Sequence, residues 1–368
     1  MKRRAHIDRP LAILIFILLI GGGMMFASAA LGYLARGNAN VSSIVFNHLV
    51  LGVGVGVIAL IITSNIDYRV WRRFAPILFV LAIIATALVF LPQIGIMHGG
   101  GKRWLDIAGI SFQPSEALKI GTVIMAAAYF ASIRARIESI WHTVGGLIVI
   151  LALPLAILAM QPDIGTLGII LASALAIFLT AGVPWKHIVI TAFIVLAVLG
   201  TIIATKEHAR DRVMTFLYPS QNQQAEGYQI KQSLIAIGSG GLSGRGFGQG
   251  VQKFTYLPEP MGDSIFAVAG EELGFIGSVS IVALFLAVAL RGFTLASRAP
   301  DMFGALLGVG ISTYLVSESF VNISSMLGVL PLTGIPLTFV SQGGSAMLVS
   351  LASAGILLNI SKYPATAR

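Results

Sequence analysis

Long apolar stretches, broken by short polar ones, run along almost the whole chain of 368 residues. Nearly uninterrupted apolar runs fall at 11–34, 44–64, 74–92, 114–132, 144–160, 165–182, 188–205, 264–290, 302–327 and 342–360. About 20 apolar residues suffice to cross roughly 30 Å of hydrocarbon, and tilt absorbs differences in length. The pattern predicts an all-α polytopic membrane protein of about ten transmembrane helices, built as a single transmembrane domain over 1–368. Lys2-Arg3-Arg4 before the first run and Ala27-Ser28-Ala29 near its end have the layout of a cleaved signal. The run stays apolar to Leu34 and opens a series of similar spans, so an uncleaved anchor is expected.

Composition agrees: 56% of the residues are apolar and only 11% charged. A soluble chain of this length would expose apolar patches far larger than soluble monomers carry. The absence of cysteine excludes disulfides, thiol chemistry and cysteine-ligated metals. The six histidines form no H-x-x-x-H pair, so no zinc site is expected. A net charge of +9 could suit nucleic acid, but in a membrane protein lysine and arginine set orientation, and no nucleic-acid partner is expected. With the N-terminus inside, fourteen lysines and arginines lie on cytoplasmic segments against three, Arg36, Lys102 and Arg103, on short outer ones. Both termini are therefore expected in the cytoplasm, and the large segment 206–262, between spans seven and eight, outside. Within it, Tyr228–Ile237 reads as a short amphipathic helix, after the turn Tyr218-Pro219-Ser220 and before a glycine-dense stretch from Gly238 to Gly250.

Neither glycine cluster supports a nucleotide site. Gly244-Arg245-Gly246-Phe247-Gly248 has the wrong spacing and no βαβ context, and Gly99-Gly100-Gly101-Lys102 lacks the first glycine of a P-loop. Ionisable residues inside spans say more, because an intramembrane charge is costly and usually pairs or works. Glu116 and Lys119 stand three apart on one helix face and can pair. Asp163 fits an N-cap of the sixth span, and Glu271, Glu272 and Glu318 fit helix-packing groups. Asp263 follows Leu257-Pro258-Glu259-Pro260 and directly precedes an apolar helix, which puts a carboxylate at the outer membrane face, as an N-cap or as a working group. Lys102, Arg103, Arg210, Arg212, Lys231, Arg245 and Lys253 lie on outward segments, a set of cations suited to an anionic lipid headgroup such as a pyrophosphate.

At these residues the sequence closely resembles the SEDS family (shape, elongation, division and sporulation) of FtsW- and RodA-like proteins. The resemblance rests on Lys102-Arg103-Trp104-Leu105, on Phe112-Gln113-Pro114-Ser115-Glu116 with Lys119, and on Gln161-Pro162-Asp163-Ile164-Gly165-Thr166. It continues through Gly227-Tyr228-Gln229, the run from Gln232 to Gly241, Pro258-Glu259 with Asp263, Ala269-Gly270-Glu271-Glu272-Leu273-Gly274, Gly334-Ile335-Pro336-Leu337 and Gly343-Gly344-Ser345. Met261-Gly262 stands where the family often has His-Thr, Gln342 where a tyrosine is common, and Tyr218 where Asp is usual. Gln252-Lys253, Tyr256-Leu257-Pro258-Glu259 and Gly270-Glu271-Glu272 look more FtsW-like than RodA-like.

The resemblance implies a multi-pass protein of the cytoplasmic membrane that polymerises lipid II into glycan strands beside a class B penicillin-binding transpeptidase, among divisome or elongasome proteins. It implies that Asp263 is the catalytic carboxylate. Substrate-binding roles are expected for Lys102, Arg103, Glu116, Lys119, Arg212, Lys231, Arg245 and Lys253, with a divalent cation, Mg or Mn, as a conceivable helper and no metal motif visible. Joining β-1,4-linked sugars from an α-linked pyrophosphate donor inverts the anomeric carbon, so one base and electrostatic help for the leaving group are needed. Two other readings compete: a transporter that flips lipid II, and a non-catalytic scaffold for the transpeptidase.

Overall fold

The computed structural model describes residues 7–36, 41–98, 101–107, 110–218 and 226–363. Lys2-Arg3-Arg4 and Arg368 of the charge count, Gly99-Gly100 of the first glycine cluster, and Pro219-Ser220 of the turn lie outside the described residues.

A helix stands on each of the ten apolar runs. The first is α1 (Arg9–Ala35), started by Asp8, whose carboxylate accepts from the Leu11 amide, with Pro10 in the first turn. The second run begins as α2 (Val41–Phe46), widens into π-helix over Asn47–Gly54, and continues as α3 (Val55–Asn65). After α4 (Arg69–Ala87) the chain forms an antiparallel sheet of β1 (Gly95–His98), β2 (Gly101–Ile107) and β3 (Ile110–Phe112), in that order. Trp104 pairs with Ile96 and Leu105 with Phe112 across it. This sheet is an addition to the all-helical expectation.

The chain continues with α5 (Pro114–Ser132), α6 (Gly146–Met160, entered through a π turn), α7 (Ile164–Thr180) and α8 (Trp185–Thr205). Segment 206–262 is not an open loop. It carries α9 (Glu207–Leu217), α10 (Glu226–Ser239) over the expected amphipathic stretch, and the short α11 (Gln252–Thr255). Then come α12 (Ile265–Ser297), α13 (Met302–Met326) and α14 (Gly344–Ser361). Among the described residues, eight helices or joined helix runs are long and apolar enough to cross a membrane; α7 is apolar but shorter, and α5 carries the buried Glu116 and Lys119.

The core centres on α13, which packs against α12, α7, α5 and α14. Small residues let these helices approach closely: a Cβ on Gly308 would meet Ala296, and one on Gly292 would meet the Ser312 side chain. By contrast, α8 buries only His187 and Thr191, so nearly its whole surface is left for lipid or another helix. Between α13 and α14 the backbone is not helical, yet Leu332, Ile335, Leu337, Phe339 and Val340 are buried. This segment dips back into the bundle, where the Phe339 carbonyl sits against Gly22 in the middle of α1. Non-helical backbone at that depth is tolerable because protein, not lipid, surrounds it.

Orientation is open to a direct test, made clean by the lack of native cysteines. Single cysteines at exposed Lys231 on α10 and exposed Asn65 at the end of α3 should differ toward an impermeant thiol reagent in intact cells. Labelling at 231 with protection at 65 is expected; the reverse pattern would invert the orientation drawn from charge.

Candidate functional site

The chain before α12 turns sharply at Glu259, whose φ of +43° lies in the left-handed region that non-glycine residues rarely enter. Gly262 and Ser264 donate their amides back to the Glu259 carbonyl at 3.0 and 3.3 Å, which closes the turn and fixes Asp263 at its exit. Ser264, not Asp263, occupies the N-cap position of α12. The capping alternative for Asp263 is therefore replaced by a different arrangement: its Oδ1 accepts from Gln229 Nε2 of α10 at 2.9 Å. Its backbone is held from the other side. Asn322 of α13 donates to the carbonyls of Asp263 and Ile335, each at 2.8 Å, and Ser341 donates to the Gly262 carbonyl at 2.7 Å.

Asp263 lies on the wall of a cavity of about 480 Å³. Arg103 and Trp104 of β2, Arg212 of α9, Glu259, His48 of the π-helical turn and Gln342 also line it. Arg103 is anchored rather than loose: Nε and Nη2 donate to the carbonyls of Gln161 and Pro162 at 3.2 and 2.5 Å. Arg212 donates to the Thr333 carbonyl at 3.4 Å. Withdrawal from bulk water, with the Glu259 carboxylate adding to it, pushes Asp263 up to about 7, while the Gln229 hydrogen bond pulls the other way. A carboxyl poised near neutrality, sharing a cavity wall with two guanidinium groups, can take a proton from a hydroxyl while the cations hold an anion.

The other expected binding residues lie elsewhere. Lys102 is next to Arg103 on β2 but does not line the cavity, and Lys231 is exposed on α10. Arg245 is half-exposed, with Nε 3.7 Å from Glu271 Oε1. Lys253 is fully buried; its Nζ meets Glu272 Oε1 at 2.5 Å, Ser28 Oγ at 2.6 Å and the Gly248 carbonyl at 3.1 Å. Glu116 and Lys119 do pair, at 2.8 Å, but Lys119 is also 2.8 Å from Glu318 Oε1 of α13, and all three side chains are at most 2% exposed. Lys119, Glu116 and Lys253 are therefore committed to partners inside the protein.

The glycine-dense stretch binds carboxylates of its own chain. At Gly274 the backbone of α12 leaves helical geometry (φ +67°), and the loop supplies the missing partners. Arg245 and Gly246 amides donate to the Glu271 and Glu272 carbonyls, and Phe275 and Ile276 donate to Gly241 and Leu242. The Glu272 side chain accepts from the Gly248 amide at 2.9 Å, and Glu271 from Val251 at 2.9 Å. Positive φ at Gly244, with the Glu272 carbonyl 2.1 Å from where a Cβ would stand, leaves no room for a side chain there. Asp163 caps α7 as expected, accepting from the Thr166 amide at 3.3 Å. Nothing in the sequence marks Gln229, Asn322 or His48 for chemistry, although Gln229 lies in the Gly227-Tyr228-Gln229 block.

The model of the FtsW/RodA/SpoVE family, described as cell cycle proteins, matches residues 9–366. Stage V sporulation protein E of Bacillus subtilis (strain 168) is 34% identical over 353 residues, covering 96% of each chain. A protein of Geobacter sp. (strain M18) named as the peptidoglycan glycosyltransferase FtsW is 38% identical over 310 residues, covering 83% of this chain and 84% of its own. Among solved structures, a chain described under structural coordination of polymerization and crosslinking by a peptidoglycan synthase complex shares the fold, with a TM-score of 0.76 and 24% identity. That alignment covers 96% of this chain and 97% of the other.

Proposed function

The chain belongs to the FtsW/RodA/SpoVE family of cell cycle proteins, and from that premise we propose that it is an inverting peptidoglycan glycosyltransferase. It polymerises lipid II at the outer face of the cytoplasmic membrane. The observation that carries this reading is the cavity that sets Asp263 among Arg103 and Arg212. Asp263 accepts the proton of the acceptor sugar hydroxyl as that oxygen attacks the anomeric carbon of the donor. The bond to the pyrophosphate breaks on the opposite face, and Arg103 and Arg212 take up the charge that develops on it. The apolar wall of the same cavity, with Ile44, Leu51, Val55 and Leu348, gives the polyprenyl end of the substrate a path toward lipid.

A divalent cation fits only as a substrate-carried ion. Among the described residues no three His, Asp or Glu side chains converge on a common point. The cavity's two carboxylates among the described residues, Glu259 and Asp263, do not make such a set. Such an ion would neutralise pyrophosphate charge. The proton transfer uses Asp263 alone.

The ten helices on the ten runs support ten spans, with segment 206–262 outside. The partner class is a class B penicillin-binding transpeptidase, supported by the coupling of polymerization and crosslinking named for the structural relative. The FtsW-like blocks around Gln252-Lys253 and Gly270-Glu271-Glu272 favour a place in the division machinery over elongation.

The charge state of Asp263 gives this reading a pH signature. A base must be ionised, so kcat for lipid II polymerisation should rise with pH through about 7 and level off above it. Glu259→Gln removes a negative charge that holds the Asp263 carboxyl up, so the rising limb should move to lower pH with the plateau kept. A limb unmoved by Glu259→Gln, or no limb between pH 5 and about 8, would count against Asp263 as the base.

A further inference from the structure

We propose that Gln229 of α10 is a positioning residue for Asp263: its side-chain amide holds one carboxylate oxygen and so fixes which oxygen faces the reacting hydroxyl. This rests on the reading of Asp263 as the base. The geometry is specific. Gln229 Nε2 stands 2.9 Å from Asp263 Oδ1 and 2.9 Å from Ser264 Oγ, so one amide spans the last turn residue and the first helical cap. Among the described residues, Asn322 and Ser341 tether only backbone oxygens in this region, and Gln229 is the side chain that donates to the carboxylate itself.

The amide is delivered by a helix that cannot drift. A Cβ on Gly240, just past the end of α10, would sit 2.0 Å from the Gly270 carbonyl, and Gly270 in turn faces Ile237. α10 therefore lies directly against the buried first half of α12, and Gln229 meets Asp263 one helix-length from that close contact.

The chemical consequence follows from which protonation state the amide can serve. An N–H donor aimed at Oδ1 stabilises the carboxylate and does nothing for an acid proton on that oxygen. It opposes the two influences that favour the acid, burial and the Glu259 carboxylate. Among the described residues, the other charged or titratable groups around Asp263 are Arg103, Arg212 and His48 on the cavity wall, and Tyr33 of α1, whose hydroxyl donates to Glu259 at 3.2 Å. Gln229 sets the aim and, with the Asp263 and Ser264 backbone amides that also stabilise the carboxylate, its charge.

The test is the pH profile of lipid II polymerisation by the full-length purified protein. Gln229→Met keeps length and volume and deletes the donor. Its acidic limb should move up by about one pH unit, so kcat at pH 6 falls about tenfold while kcat at pH 9 stays within about twofold, with KM for lipid II unchanged. Gln229→Lys supplies a charged donor and should move the limb below that of the parent. A merely structural role would lower kcat by the same factor at every pH, or lower the thermal midpoint with no displacement of the limb. Superimposable profiles for parent and Gln229→Met, or a limb that moves the same way in both variants, would overturn the proposal. Asp263→Asn run alongside separates the two levels: an active Asp263→Asn protein defeats the base assignment, whereas an inactive one with an unmoved Gln229→Met limb defeats only the inference about Gln229.

Discussion

Asp263→Asn should lower glycan polymerisation by roughly 10²–10⁴-fold, the usual worth of a general base, while the protein folds and inserts normally. Asn is nearly isosteric, and its side-chain oxygen can still accept from Gln229 Nε2. The start of α12 is not at risk, because Ser264 and not Asp263 holds the N-cap position. What Asn cannot do is accept a proton as a carboxylate does. Polymerisation rate and thermal midpoint measured on the same preparation separate these effects. A well-folded Asp263→Asn protein with near-normal rate would make the cavity a binding site with its chemistry elsewhere.

The second large effect is structural and lies in the bundle core. Lys119→Met should collapse the folded yield, since it strands Glu116 and Glu318 together where both are at most 2% exposed. Breaking a buried pair typically costs about 3–5 kcal/mol, against a total stability of about 5–15 kcal/mol. Repair of the Glu116–Lys119 pair alone will not suffice. Glu116→Gln with Lys119→Met still leaves the Glu318 carboxylate unpaired. The triple variant Glu116→Gln, Lys119→Met, Glu318→Gln removes every stranded charge and should recover much of the monodisperse protein in detergent. Normal yield from Lys119→Met alone would mean that the cluster is incidental to folding.

The difference between the pair and the triad shows what the sequence could tell. Glu116 and Lys119 are three residues apart on one helix, so their meeting follows from helical geometry alone. Glu318 comes from another helix, 199 residues along the chain from Lys119, and nothing local announces that it shares the lysine. The helices were legible because lipid demands long apolar runs, and each run carries one. The small sheet was not, because strands of four, seven and three residues carry too little alternation to stand out. α9 was hidden for a different reason: it follows α8 after a single break at Lys206 and has no apolar run of its own.

The site was legible in part. Asp263 stood out by its place between a proline-bracketed turn and an apolar helix, and Arg103 and Arg212 were in the outward basic set. That set could not be sorted by sequence. Lys253 and Arg212 look alike along the chain, yet Lys253 is sealed against Glu272 and Ser28 while Arg212 reaches the cavity. Gln229 carries no charge and gave no chemical signal beyond its motif. Its role becomes visible only when α10 is laid against α12.

The most direct test of the central claim is reconstitution. Purified full-length protein in liposomes, given lipid II and a class B penicillin-binding transpeptidase partner, should produce glycan strands longer than the disaccharide, resolved by gel electrophoresis, with roughly 10²–10⁴-fold less from Asp263→Asn. Movement of intact lipid II across the bilayer without strand formation, by protein shown to be folded, would contradict the account and favour a flippase.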